Sequence, residues 1–248
     1  MNHLRDAQTK VMNKKINLFI TLYFLVLIIP AQNKEFEVWT SNTFRFKINN
    51  DFKFDIENQL RSNISPFIIN QFFTQGSIKY ENKQAKVNTG IRIIQEFKSK
   101  IENHLRYHID YAYVTDFAMS TLTLRLRFQS KNEIGVTKDE GDYPENDLRY
   151  RAKVKFKFPT TKLKPYLGFE VFQHFETGAI NGFNKYRILF GGEYKLSKKG
   201  KLGLNIIREK QWVYWNPKTS WVFMPYYVNY IKKGEKKKKK KELFNQFD

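Results

Sequence analysis

Leu148-Arg-Tyr-Arg-Ala-Lys-Val-Lys-Phe-Lys-Phe158 decides how this chain is read. Successive side chains of an extended strand point to opposite faces. Leu148, Tyr150, Ala152, Val154, Phe156 and Phe158 therefore share one face, and Arg149, Arg151, Lys153, Lys155 and Lys157 share the other. A soluble sheet could carry five cations on its wet face. The same period-two pattern, however, recurs along almost the whole chain, behind a stretch with the features of an export signal. Apolar-out, charged-in strands repeated in this way point to an all-β fold, an antiparallel up-and-down transmembrane β-barrel of about 10–12 strands.

Outward from that segment the alternation predicts strands over 35–47, 51–62, 69–81, 85–96, 100–114, 118–130, 147–158, 164–175, 184–196, 201–214 and 219–231. Their length, about 10–15 residues, suits tilted membrane-spanning strands better than the five or six residues usual in soluble sheets. Asn49-Asn50, Asn82-Lys83 and Thr115-Asp116 supply turn signals. The polar, acidic stretch from Ser130 to Asn146, with Gly135, Gly141 and Pro144, reads as the longest loop. Two features fit badly. Single-chain bacterial barrels have even strand numbers, against the odd number found here. Pro225 lies inside the last strand, where it removes a ladder hydrogen bond unless a bulge absorbs it.

Met12-Asn-Lys-Lys15, a mostly apolar run from Ile16 to Ile29 and then Pro30-Ala31 have the layout of a signal peptide, with cleavage expected after Ala31 and Met12 as the true start. The run is short for a spanning helix. The expected organisation is a leader over 1–31, an outer-membrane barrel over 34–231 and a disordered lysine-rich tail over 232–248. The chain holds no cysteine, which excludes disulfides, thiolate metal sites, a cysteine nucleophile and a lipidated amino-terminal cysteine. A mean hydropathy of -0.60 argues against a helical membrane protein but not against a barrel. Of the formal charge of +20, the leader holds +3 and the tail +5, leaving +12 on the barrel segment. Such an excess suits anionic headgroups, acidic glycans or nucleic acid, and an exported chain makes nucleic acid the poorest fit.

Chemistry is expected on the charged faces. Glu102, Arg106 and Asp110 share a face with His104 and His108. Arg125 and Arg127 follow on the next strand, then Arg149 and Arg151, Glu170, Arg187 and Glu193. In a narrow lumen a lone charge is poorly hydrated, so these ten residues are expected to pair across it as an ionic network. Same-face residues four apart on a strand lie roughly 13 Å apart, so His104 and His108 cannot share an ion, nor can Glu170 and His174. No metal site, cofactor or catalytic residue is expected. Ser120 and His104 fall on opposite faces and no Gly-x-Ser-x-Gly elbow is present. Gly168, Gly191 and Gly192 lack phosphate-loop spacing and suit close packing in a barrel wall. Trp39, Trp212, Tyr214, Trp215, Trp221, Tyr226, Tyr227 and Tyr230 read as an interfacial aromatic girdle.

Asp147-Leu-Arg-Tyr-Arg, Lys164-Pro-Tyr-Leu-Gly-Phe-Glu-Val-Phe and Lys185-Tyr-Arg-Ile-Leu-Phe-Gly-Gly-Glu-Tyr-Lys-Leu-Ser resemble the bacterial domain of unknown function 2490. Trp39, Glu57-Asn-Gln-Leu-Arg61, Gly90-Ile-Arg92 and Leu124-Arg-Leu-Arg-Phe-Gln129 fit the same pattern, which covers about residues 34–231. The resemblance implies an exported β-barrel and carries no activity, ligand or catalytic residue with it. The expected function is therefore a non-enzymatic outer-membrane protein, structural or a narrow solute conduit. Its expected partners are outer-membrane lipids and the barrel-assembly machinery, with no nucleic acid. Two alternatives stay open: a lipid-modifying outer-membrane enzyme, and a soluble periplasmic β-sandwich that binds an acidic ligand.

Overall fold

Alternating side chains build eleven strands in the computed structural model, which describes residues 34–140, 143–176, 181–197, 199–212 and 217–231. The expected leader and lysine-rich tail lie outside the described residues. The first six strands are β1 Lys34–Lys47, β2 Phe52–Asn63, β3 Ile68–Glu81, β4 Ala85–Phe97, β5 Ile101–Phe117 and β6 Ser120–Glu133. After a 3-10 turn at Lys138–Glu140 come β7 Glu145–Phe156, β8 Leu163–Phe175, β9 Gly182–Lys195, β10 Gly200–Gln211 and β11 Thr219–Ile231. The loop expected over Ser130–Asn146 is shorter. β6 continues to Glu133 and β7 begins at Glu145, because Ser130 pairs with Asn146 and Lys131 with Glu145 in the ladder. A Lys131–Glu145 ion pair at 2.8 Å reinforces that extension.

Consecutive strands pair antiparallel and β11 meets β1, so the sheet closes into a barrel. A closed ring rules out the two-sheet sandwich. With eleven strands, the first and last must run in the same direction. Lys218, just before β11, reaches Glu35 at the start of β1 at 3.1 Å. At the other rim, Arg45 near the end of β1 lies 5.8 Å from the ring centroid of Tyr230 near the end of β11. One parallel seam thus closes the odd ring without a twelfth strand. Pro225 sits beside that seam, and the β10–β11 register passes through Leu204↔Pro225 without a bulge.

The two faces separate as alternation requires. On β5, Ile109 is 53% exposed while its neighbours His108 and Asp110 are 3% and 6% exposed. Ile91, Leu126, Leu167, Phe190 and Leu204 continue an outward apolar belt around the ring. The belt is interrupted near the seam, where Thr40, Asn42, Asn58 and Thr74 occupy outward positions of β1, β2 and β3. The Thr74 hydroxyl donates to Asn58 Oδ1 at 2.8 Å, which satisfies part of that patch within the wall.

Inside the ring, Trp39, Leu189, Ile207 and Val222 form a small apolar cluster, with Met224 packed against it. Trp39 is therefore not a girdle residue. It shares parity with Ser41 and Arg45, and it is buried against the Arg61 guanidinium, 3.9 Å from the ring centroid. Tyr226 and Tyr230 also take inward positions, whereas Trp221 and Tyr227 face out. Tyr214 and Trp215 lie outside the described residues. Inward glycines admit the inward tyrosines. A Cβ on Gly191 would lie 2.6 Å from the Tyr166 ring, and one on Gly203 would overlap the Tyr226 ring. We expect Gly203→Ala to cost about 1–3 kcal/mol through overpacking, and a second change, Tyr226→Ala, to remove most of that penalty. Urea unfolding of the three proteins in detergent micelles measures the coupling. Additive losses would show that the two residues do not compete for space.

Candidate functional site

The inward faces enclose a cavity of about 1040 Å³. Seventeen Lys and Arg residues and nine Asp and Glu residues line it among those described, so positive charge exceeds negative by eight. Around Glu170, Asp110 and Glu193, two or more cations gather.

Glu170 on β8 is 2% exposed and sits opposite Arg151 of β7 and Arg187 of β9 in the ladder. Arg149 donates to both of its oxygens, Nε at 3.2 Å and Nη2 at 2.9 Å. Arg125 of β6 donates to the same carboxylate, and Arg187 Nη1 stands 3.9 Å away. Asp110 lies directly across from Arg127, which binds it in a two-pronged fashion at 2.5 and 2.7 Å. Arg125 Nη1 also approaches Asp110, at 3.8 Å, and so bridges the two acids. Glu193 accepts from Lys155 at 2.8 Å, Lys201 at 3.1 Å and the Tyr226 hydroxyl at 3.2 Å. Forked guanidinium–carboxylate pairs of this kind offset part of the cost of burying both charges.

The ten charged positions singled out by alternation divide into three groups. Asp110, Arg125, Arg127, Arg149, Glu170, Arg187 and Glu193 make the pairs just described. Arg106 and Arg151 line the cavity without an ion-pair partner among the described residues, and the Nε of each is buried and unbonded there. Glu102 is outside the cavity lining, at a rim, where its carboxylate takes a hydrogen bond from Lys98 at 2.6 Å. That bond holds Lys98 above its ordinary pKa. Sequence reasoning passed over Arg45, Lys79 and Asp55, which form a second buried triad at 2.5–2.9 Å. It also passed over Glu209, which accepts from Arg187. Each has the same inward parity, so the signal was present in the alternation.

The only group of three or more potential metal ligands among the described residues is Glu96, Glu102 and His104, whose ligand atoms lie within 4.8 Å of one another. Glu96 and Glu102 face each other across the β4–β5 ladder, a cross-strand meeting that spacing along one strand does not reveal. Lys98 already stands 2.6 and 3.4 Å from the two carboxylates, and Lys131 stands 3.7 Å from Glu96. These lysines supply the countercharge that an ion would. Ser120 and His104 do lie on neighbouring strands but at opposite ends of the ladder, Ser120 opposite Phe117 and His104 opposite Glu133. They cannot meet as nucleophile and base.

Residues 36–220 match the family described as protein of unknown function (DUF2490). The chain belongs to this family. No curated protein matches the sequence. In this DUF2490 chain the matched stretch runs from β1 to the second residue of β11, and so covers most of the barrel wall.

Glu170→Gln would leave Arg125 and Arg149 buried without their carboxylate, and we expect a loss of about 3–5 kcal/mol. Lys157→Gln removes an exposed rim pair with Asp116 and should cost less than about 1 kcal/mol. Unfolding midpoints in urea compare the two; equal effects would mean that the interior pairs are as solvated as those at the rim.

Proposed function

We propose that this barrel resides in the bacterial outer membrane, with lipid against its apolar belt, and acts there as a non-enzymatic narrow conduit or holding chamber for a small charged solute. The observation that carries this reading is the separation of the two faces: large apolar side chains point outward around a closed ring while the charged ones point in. In water the reverse arrangement lowers the free energy, because an exposed apolar belt of this extent favours association and inward charges pay for desolvation. In a bilayer the backbone hydrogen bonds are satisfied within the closed ladder and the belt meets hydrocarbon. Strands of 12 to 17 residues are long enough to cross when tilted. Outer-membrane lipids and the barrel-assembly machinery follow as partners, and the leader over 1–31 as the export signal.

Cell fractionation tests the location. The chain should be recovered with the outer membrane, resist extraction by alkaline carbonate and migrate differently in detergent gels before and after heating. Recovery in the soluble periplasmic fraction would remove the reading. A mutation separates the two solvents directly. Leu126, half-exposed near the middle of β6, should cost about 2–4 kcal/mol when changed to lysine if it faces hydrocarbon. Facing water, the same change stays within about 0.5 kcal/mol.

A further inference from the structure

We propose that Arg61, Arg92 and Arg106 form a binding site inside the barrel for a small multiply charged oxyanion, of the phosphate or sulfate type. The inference rests on the charged-chamber reading of the lumen and names the solute class that the chamber takes.

The three guanidinium groups come from β2, β4 and β5 and all line the cavity. Arg61 and Arg92 flank Phe73 of β3, which is 1% exposed, at 5.4 and 3.5 Å from its ring centroid. Arg61 also stacks over Trp39 at 3.9 Å. The Nε of each is fixed by an amide: Arg61 donates to Gln59 at 2.8 Å and Arg92 to Gln75 at 2.9 Å. Aromatic faces and neutral amides thus orient these two side chains and leave their terminal nitrogens unclaimed. Arg106 makes no hydrogen bond or ion pair among the described residues, and its Nε is buried without a partner.

Among the described residues, no carboxylate stands within ion-pair distance of any of the three. Arg61 lies within electrostatic reach of Arg106 and Arg187, and Arg92 within reach of Arg61 and Arg106. Glu37 and Glu209 near Arg61, Glu57 near Arg92, and Asp147, Glu145 and Glu96 near Arg106 all stand beyond pairing distance. Glu37 is engaged by the Trp39 indole at 2.7 Å and Glu57 by the Ser41 hydroxyl at 3.1 Å. The contrast with the far wall is the argument. There Glu170 gathers Arg125, Arg149 and Arg187, and Asp110 gathers Arg127 and Arg125. Here three guanidinium groups are held in place with every nearby acid among the described residues outside pairing distance. Mutual repulsion in a low-dielectric enclosure disfavours such an arrangement unless a mobile anion supplies the missing charge. Guanidinium forks match the paired oxygens of a phosphate or sulfate group better than a spherical halide. The enclosure within the ring favours a free solute over the headgroup of a bilayer lipid.

The test uses the full-length protein in detergent micelles, in a chloride buffer to which inorganic phosphate is added at constant ionic strength. Titration calorimetry should show saturable binding at one site. Arg106→Gln should weaken it at least about tenfold, and Lys218→Gln, an exposed position outside the cavity lining, should leave it unchanged. Absence of saturable heat, or equal binding by Arg106→Gln, would overturn the site. Should that variant fail to fold, phenylglyoxal labelling of the unaltered protein decides. Phosphate should slow modification of Arg61, Arg92 and Arg106, read by peptide mass spectrometry, and identical rates with and without it would overturn the proposal equally. Because this binding is measured in micelles and location in cells, either reading can fail without the other.

Discussion

Charge inside a closed wall needs countercharge, and the interior of this barrel is organised around that requirement. Glu170 shows it most plainly: one carboxylate, almost without solvent, collects guanidinium groups from β6, β7 and β9. Asp110, Asp55, Glu193 and Glu209 likewise gather arginines or lysines elsewhere on the wall. Each cluster ties neighbouring strands by side chains as well as by backbone ladder, so the ionic network and the ring support one another. Aromatic rings take part alongside the acids. Phe172 has Arg149, Lys185 and Arg187 at 4.4–4.7 Å from its centroid, and Lys153 lies 4.7 Å from that of Tyr166. Cation–π contact is weaker than an ion pair, and it leaves the cation with coordination to spare.

Closure by an odd number of strands has its own consequences. The chain enters the ring at one rim and leaves it at the other, and the seam between β1 and β11 is parallel. Parallel ladders are slightly less stable per residue than antiparallel ones. Pro225 and the outward Thr40 and Asn42 gather at this seam, where a groove of about 370 Å³ lies along the wall. The apolar cluster of Trp39, Leu189, Ile207 and Val222 packs behind it from inside and brings together β1, β9, β10 and β11. The weakest part of the hydrogen-bonded ring is thus the part backed by hydrophobic packing.

Much of the fold was legible in the sequence because side-chain alternation is a local property. Leu148–Phe158 already separated the two faces, and the strand limits follow from the same rhythm to within a few residues. The loop before β7 was overestimated because Ser130–Glu133 and Glu145-Asn146 carry few apolar residues, yet they still join the ladder. Trp39 was assigned to the girdle by residue type, although its parity with Ser41 and Arg45 placed it inside. The candidate site was legible only as a set of inward charges: Arg106 and Arg151 have the same pattern in sequence as Arg127 and Arg149, but not the same partners.

Taken alone, the sequence determined which residues face in and which face out, since a period of two needs nothing beyond the chain itself. It also determined the cationic surplus, which is a matter of composition. Only the tertiary structure decided that eleven strands close through a parallel seam, that Glu96 meets Glu102 and His104 at a rim, and that Arg61, Arg92 and Arg106 line one cavity without an ion-pair partner among the described residues. The reason is physical: pairing between strands depends on register and ring closure, and those arise from contacts between segments far apart along the chain.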